Sequence, residues 1–114
     1  MNVPANPNAT PEAVKLLAYL AQVSGRQIIS GQHTQTIPME EITYIENVTG
    51  RKPKLRGFEL LSYSPNINYA DAGEACLTEA EENKNTLEAA LKWALETDGI
   101  VTFSFHWFSP LGGR

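Results

Sequence analysis

The chain has 114 residues, of which 42 % are hydrophobic and 19 % charged, with a formal net charge of −4. That length suits one small domain with a sizeable buried core, and the acidic balance argues against a nucleic-acid reader, which carries a basic patch. No apolar run reaches the roughly 18 residues a membrane helix needs, the opening MNVPANPNATPEA lacks the regions of a signal peptide, and the single Cys76 rules out an intrachain disulfide.

Residues 1–9 are rich in Asn and Pro and read as irregular. Thr10 then reads as an N-cap, Pro11 as the first helical residue and Glu12 as a first-turn acid. Val14, Leu17, Ala18 and Ala21 recur at helical spacing, widened by Leu16, Leu20 and Val23. Ser24-Gly25 ends that helix. Gln27 to Gly31 is a short strand, followed at once by Gln32 and His33. Pro38 opens a second helix, in which Met39, Ile42, Ile45 and Val48 recur every three residues and Gly50 takes the C′ position. Arg51, Lys52, Lys54 and Arg56 read as a solvated basic loop.

Lys54 to Tyr63 is a second strand, with Phe58, Leu60 and Leu61 apolar, Glu59 inside the run and Tyr63 at its end. Ser64-Pro65-Asn66 marks a turn, and Ile67 to Cys76 has no period and reads as loop. Thr78-x-x-Glu81 fits a capping box opening a third helix, whose stripe is Leu87, Ala90, Leu91, Ala94 and Leu95. Asp98-Gly99 stops it. Ile100 to Phe105 is apolar, β-branched and aromatic, as a buried strand requires. Pro110 closes this region, and Leu111, Gly112 and Gly113 open a loop. Helix and strand alternate three times, so the fold class is α/β with parallel βαβ units.

In such a fold the carboxyl ends of the strands share one face and commonly meet a ligand there. His33 follows the first strand, Glu59 and Tyr63 lie at the end of the second, and His106 and Trp107 follow the third. These five residues should therefore cluster. Each also has a plainer role: either His as a hydrogen-bonded structural residue, Trp107 as core, and Tyr63 as a core cap with its hydroxyl in water. Glu59 inside an apolar run needs a partner, and an ion pair with Arg56 or Lys54 would supply one. His33, Glu59 and His106 are all metal-ligand types, but their spacing matches no metal motif. Nothing reads as a phosphate-binding loop, and Cys76 has no nucleophile context.

The ordered series Ser30-Gly31-Gln32-His33, Thr49-Gly50-Arg51-Lys52-Pro53, Gly57-Phe58-Glu59, Tyr63-Ser64-Pro65, Gly99-Ile100-Val101-Thr102, His106-Trp107 and Pro110 resembles glycoside hydrolase family 26. The resemblance covers nearly the whole chain. It implies a (β/α)8 barrel, of which residues 10–114 would hold the first three strands as an incomplete catalytic domain. It implies a β-mannanase-like enzyme, with mixed-linkage glucan or xylan as other substrates of the family, and no cofactor. It also implies a retaining mechanism with two glutamates on later strands, so that no catalytic residue lies in this chain, and a secreted parent enzyme is expected. By the same resemblance, His106 is the histidine near the scissile sugar and Glu59 a polar contact to a glycone-side sugar. Phe105 stands where the family commonly has Trp, and Ser62 where many members have Asp before Tyr-Ser-Pro. The expected partner is a β-mannan or related β-linked polysaccharide, bound through His106, Trp107, Glu59, His33 and Tyr63, with no nucleic acid, membrane or metal. Two rivals remain: a metal-dependent barrel hydrolase, and a non-catalytic α/β module that binds through Trp107.

Overall fold

Thr10 caps the first helix as its chemistry dictates: its hydroxyl accepts the Ala13 N–H at 3.3 Å, and Pro11 follows in the first turn. In the computed structural model, which describes residues 3–108, that helix is α1 (Pro11–Val23). Then come β1 (Gly31–His33), α2 (Glu40–Thr49), β2 (Leu55–Glu59), a 3-10 turn (Leu61–Tyr63), α3 (Glu74–Glu82), α4 (Thr86–Thr97) and β3 (Ile100–Ser104). Residues 3–10 carry no helix or strand. Pro110 and the expected loop at Leu111, Gly112 and Gly113 lie outside the described residues.

The three strands form one parallel sheet in the order β1-β2-β3. Gly57 pairs with His33 on one side and Thr102 on the other, and Glu59 pairs with Ser104. Side chains alternate along a strand, so this register places His33, Gly57, Glu59, Thr102 and Ser104 on one face. Arg56, Phe58, Val101 and Phe103 occupy the other. The second face is the packed one: Phe58 is wholly buried with Ile42 of α2 and Ala90 and Trp93 of α4, and Val101 packs against them. Burying Phe58 is worth about 1.5–3 kcal/mol.

Arg56 belongs to this core rather than to a solvated loop. Only 3 % exposed, its guanidinium lies 4.3 Å from the Phe58 ring centroid and 5.6 Å from that of Trp93. It donates to the Gln35 carbonyl at 3.2 Å and to Met39 Sδ at 3.3 Å. Burial holds its pKa below the usual arginine value. The aromatic faces compensate part of the lost hydration.

Other boundaries also differ from the sequence reading. The first strand starts at Gly31 and includes Gln32 and His33, because pairing to Leu55, Arg56 and Gly57 selects those residues over the more apolar Gln27–Ser30. The second helix starts at Glu40, since Met39 takes a left-handed conformation (φ 62°). It stops at Gly50, whose φ of 68° is natural only without a Cβ. β2 ends at Glu59, and Leu61–Tyr63 form the 3-10 turn.

The single helix expected after Thr78 is two. Thr78 sits inside α3 and caps nothing, and α3 begins at Glu74 within the expected loop. The break is made by bonds from the end of β2 and the 3-10 turn that follows it. Ser62 Oγ donates to the Asn83 carbonyl at 2.6 Å, and the buried Thr86 hydroxyl lies 2.9 Å from the Glu59 carbonyl. These contacts stop α3 and restart the helix at Thr86. They also set the rotation of α4, which buries Thr86, Ala90 and Trp93 and leaves Leu87, Leu91 and Leu95 exposed. Likewise no residue of α1 is fully buried, and Val14, Leu16 and Leu20 are exposed.

Candidate functional site

Glu59 is the last residue of β2 and 3 % exposed. Its partners come from β3 and the chain just beyond it, not from Arg56 or Lys54. Ser104, its register partner, donates from Oγ to Glu59 Oε2 at 2.6 Å. The His106 backbone N–H donates to Oε1 at 2.9 Å, and His106 Nδ1 lies 2.6 Å from Oε2. Burial by itself raises the carboxyl pKa. The bonds from Ser104, the His106 N–H and the His106 ring outweigh it and hold the group below the usual glutamate value. A buried carboxylate thus stands ionised at the strand end, with an imidazole laid on it whose side chain is 63 % exposed.

Beyond His106 the chain alternates outward and inward. Trp107 is exposed, with Phe105 against it edge-on at 6.5 Å between ring centroids. Phe108 is 2 % exposed and packs with Leu61 and Ala80, flanked by Ile67 and Cys76. Its N–H donates to Ser64 Oγ at 3.3 Å, and its carbonyl accepts from Asn66 Nδ2 at 3.1 Å. The segment carrying His106 and Trp107 is therefore pinned at both ends, by Glu59 and by the turn after β2.

His33 ends β1 on the same sheet face. A Cβ on Gly57 would fall 2.7 Å from His33 Nδ1, so the ring lies directly across that glycine. Tyr63 is turned elsewhere. Its hydroxyl accepts the Leu87 N–H and donates to Glu88 Oε2, both at 3.3 Å, at the start of α4. The structure thus joins Glu59 to His106, sets Trp107 beside them, puts His33 on the same face, and engages Tyr63 with a helix. Ser104, Ser64 and Phe108 were not among the expected residues. Period-two counting back from His106 reaches Ser104 and forward reaches Phe108, which is the signal that finds both.

Among the described residues no group of three His, Cys, Asp or Glu side chains is arranged to hold a metal ion, so His33, Glu59 and His106 do not form a ligand set. No helix among them is long and apolar enough to cross a membrane. A cavity of about 600 Å³ lies at the opposite end of the sheet, between α1 and the starts of β2 and β3, lined by Glu12, Tyr19, Lys54, Asp98 and Ile100.

Parallel strands in sequential order, helices packed on one face, and polar groups gathered at the carboxyl ends match the arrangement of a piece of a (β/α)8 barrel. The comparisons then assign it. The chain belongs to glycosyl hydrolase family 26, whose model matches residues 5–112. It is 31 % identical over 107 residues to a mannan endo-1,4-β-mannosidase of Thermothelomyces thermophilus, covering 94 % of this chain and 19 % of that protein. Among solved structures it resembles a ruminal GH26 endo-β-1,4-mannanase, with a TM-score of 0.70 and 31 % identity, covering 96 % of this chain and 23 % of the other. It also resembles the Podospora anserina GH26-CBM35 β-(1,4)-mannanase, with a TM-score of 0.72 and 29 % identity, covering 98 % and 24 %. The chain spans about a fifth to a quarter of the length of these relatives.

Proposed function

We propose that this chain is the substrate-positioning part of a retaining β-1,4-mannanase. Residues 1–9 form an irregular lead-in and 10–114 the first strands of the catalytic barrel. The observation that carries the reading is the imidazole of His106, fixed on buried Glu59 at a strand's carboxyl end in a family 26 chain 31 % identical to a mannan endo-1,4-β-mannosidase. Retaining hydrolysis uses two carboxyl groups about 5–5.5 Å apart, one on each side of the scissile bond. Glu59 is spoken for by three donors, and it serves as neither. The acid/base and the nucleophile come from other strands of the same barrel.

In this reading His106 hydrogen-bonds the sugar beside the cleaved bond, and the exposed indole of Trp107 offers a flat face to a neighbouring ring. His33, across Gly57, lines the same crevice. The test is release of reducing sugar from β-1,4-mannan by the full-length protein carrying this chain, with and without chelator. Chelator-resistant cleavage is expected. A full-length protein that cleaves no mannan, or one whose activity disappears with chelator, refutes the reading.

A further inference from the structure

We infer that Glu59 is a positioning residue that locks His106 in its Nδ1–H tautomer, so that Nε2 faces the crevice as a hydrogen-bond acceptor. The inference deepens the proposal that His106 contacts the sugar, and it rests on that reading for its role in the reaction. It is carried by which atoms can donate. An ionised carboxylate only accepts. Glu59 Oε2 lies 2.6 Å from His106 Nδ1, so the proton in that bond sits on Nδ1. Oε2 also takes the Ser104 hydroxyl at 2.6 Å, and Oε1 takes the His106 N–H at 2.9 Å. One carboxylate thus grips the histidine by its backbone and its ring together, which fixes both the place and the orientation of the imidazole. The other ring nitrogen is left to the exposed side.

The same atoms predict what an amide would do. Gln at position 59 offers one acceptor oxygen in place of two. The His106 backbone N–H can only donate, so the amide oxygen goes to it. The NH2 then faces the ring and the Ser104 hydroxyl. The hydroxyl rotates to accept, and Nδ1 must accept as well. The ring proton moves to Nε2, and the acceptor presented to the crevice becomes a donor. A carboxylate that merely filled space would leave the tautomer alone.

The experiment is nitrogen-15 NMR of histidine-labelled full-length protein, at a pH where the imidazole is neutral, with His106 assigned from the signal lost in H106Q. Wild type is expected to show the Nδ1–H tautomer, Glu59→Gln the Nε2–H tautomer, and Ser104→Ala, which leaves both bonds to His106, the wild-type pattern. Alongside, Glu59→Gln is expected to lower kcat/KM on mannan about 100-fold, the scale of a misplaced positioning group. An Nε2–H tautomer in wild type overturns the inference, and does so even if Glu59→Gln fails to fold. A tautomer that Glu59→Gln leaves unchanged, or a kcat/KM it leaves unchanged, also overturns it. The tautomers are read without substrate, so the expected pattern in a protein that cleaves no mannan upholds Glu59's hold on His106 while refuting the mannanase reading.

Discussion

The Phe108 N–H donates to Ser64 Oγ across 3.3 Å, tying the chain beyond β3 to the turn beyond β2. His106 lies between this tie and its own bonds to Glu59. Two anchors therefore set the position of the imidazole, the buried carboxylate at the end of β2 and the buried Phe108 ring on the segment after β3. Phe108→Ala should cost about 3–5 kcal/mol, as for other large-to-small changes in a packed core. Denaturant unfolding of the full-length protein measures the loss, and a change below about 1 kcal/mol would show that Phe108 does not anchor this segment.

Loss of the imidazole should cost the reaction more than the fold, because Glu59 keeps its bonds from Ser104 and the His106 backbone. In the full-length protein, His106→Ala should lower kcat/KM on mannan about 10- to 1000-fold, the range for a group positioned beside the reacting sugar. Initial-rate kinetics read this directly, with thermal unfolding as the control. An unimpaired variant would remove His106 from the site.

Glu59 makes stability depend on acid. Its carboxyl is held below the usual glutamate value in the native state: burial opposes this, but the Ser104 and His106 bonds prevail. A native pKa below the unfolded one means that the unfolded chain binds the proton first as pH falls. The stabilisation is complete above the ordinary glutamate titration and is lost as pH drops through the lower native value. Glu59→Gln should flatten that part of the acid limb. Unfolding free energies across the acid range test it, and parallel curves for the two proteins would contradict the assignment.

Gly57 gives His33 its place. A Cβ there would stand 2.7 Å from His33 Nδ1 and 3.3 Å from its Cβ. His33 is exposed but Gly57 is buried, so Gly57→Ala should swing the ring away at a stability cost of about 1–3 kcal/mol, as for overpacking a buried position, while raising KM on mannan. A crystal structure of the variant would show the rotamer, and an unmoved His33 would contradict the packing described here.

The 114-residue polypeptide expressed alone should self-associate and release no reducing sugar from mannan, glucan or xylan. Among the described residues β3 pairs on one side only, and Phe103 on it and Phe105 just past its end are both 48 % exposed. An open, apolar strand edge invites pairing with another copy. Size-exclusion chromatography with light scattering over a concentration series would reveal it. A monodisperse monomer with a sharp thermal transition would count against this expectation.

The sequence by itself determined the three strands and their parallel alternation with helices, the capped start of α1 at Thr10, the stop of α2 at Gly50, and the strand-end placement of His33, Glu59 and His106. These follow from local chemistry: a hydroxyl before Pro-Glu, a glycine after the last apolar repeat, and a β-branched run ending in polar groups. The tertiary structure alone decided the partners. Glu59 and His106 are 47 residues apart in the chain, and only the register that sets Glu59 beside Ser104 brings them together. The same is true of the break between α3 and α4, where the apolar pattern runs on but the 3-10 turn claims Asn83 and the end of β2 claims Thr86. It holds for Tyr63, which the start of α4 takes from the strand-end cluster. Caps and periods are set by neighbours within a turn or two. A hydrogen bond across a parallel sheet depends on how two distant strands slide past each other, and packing of the whole core fixes that.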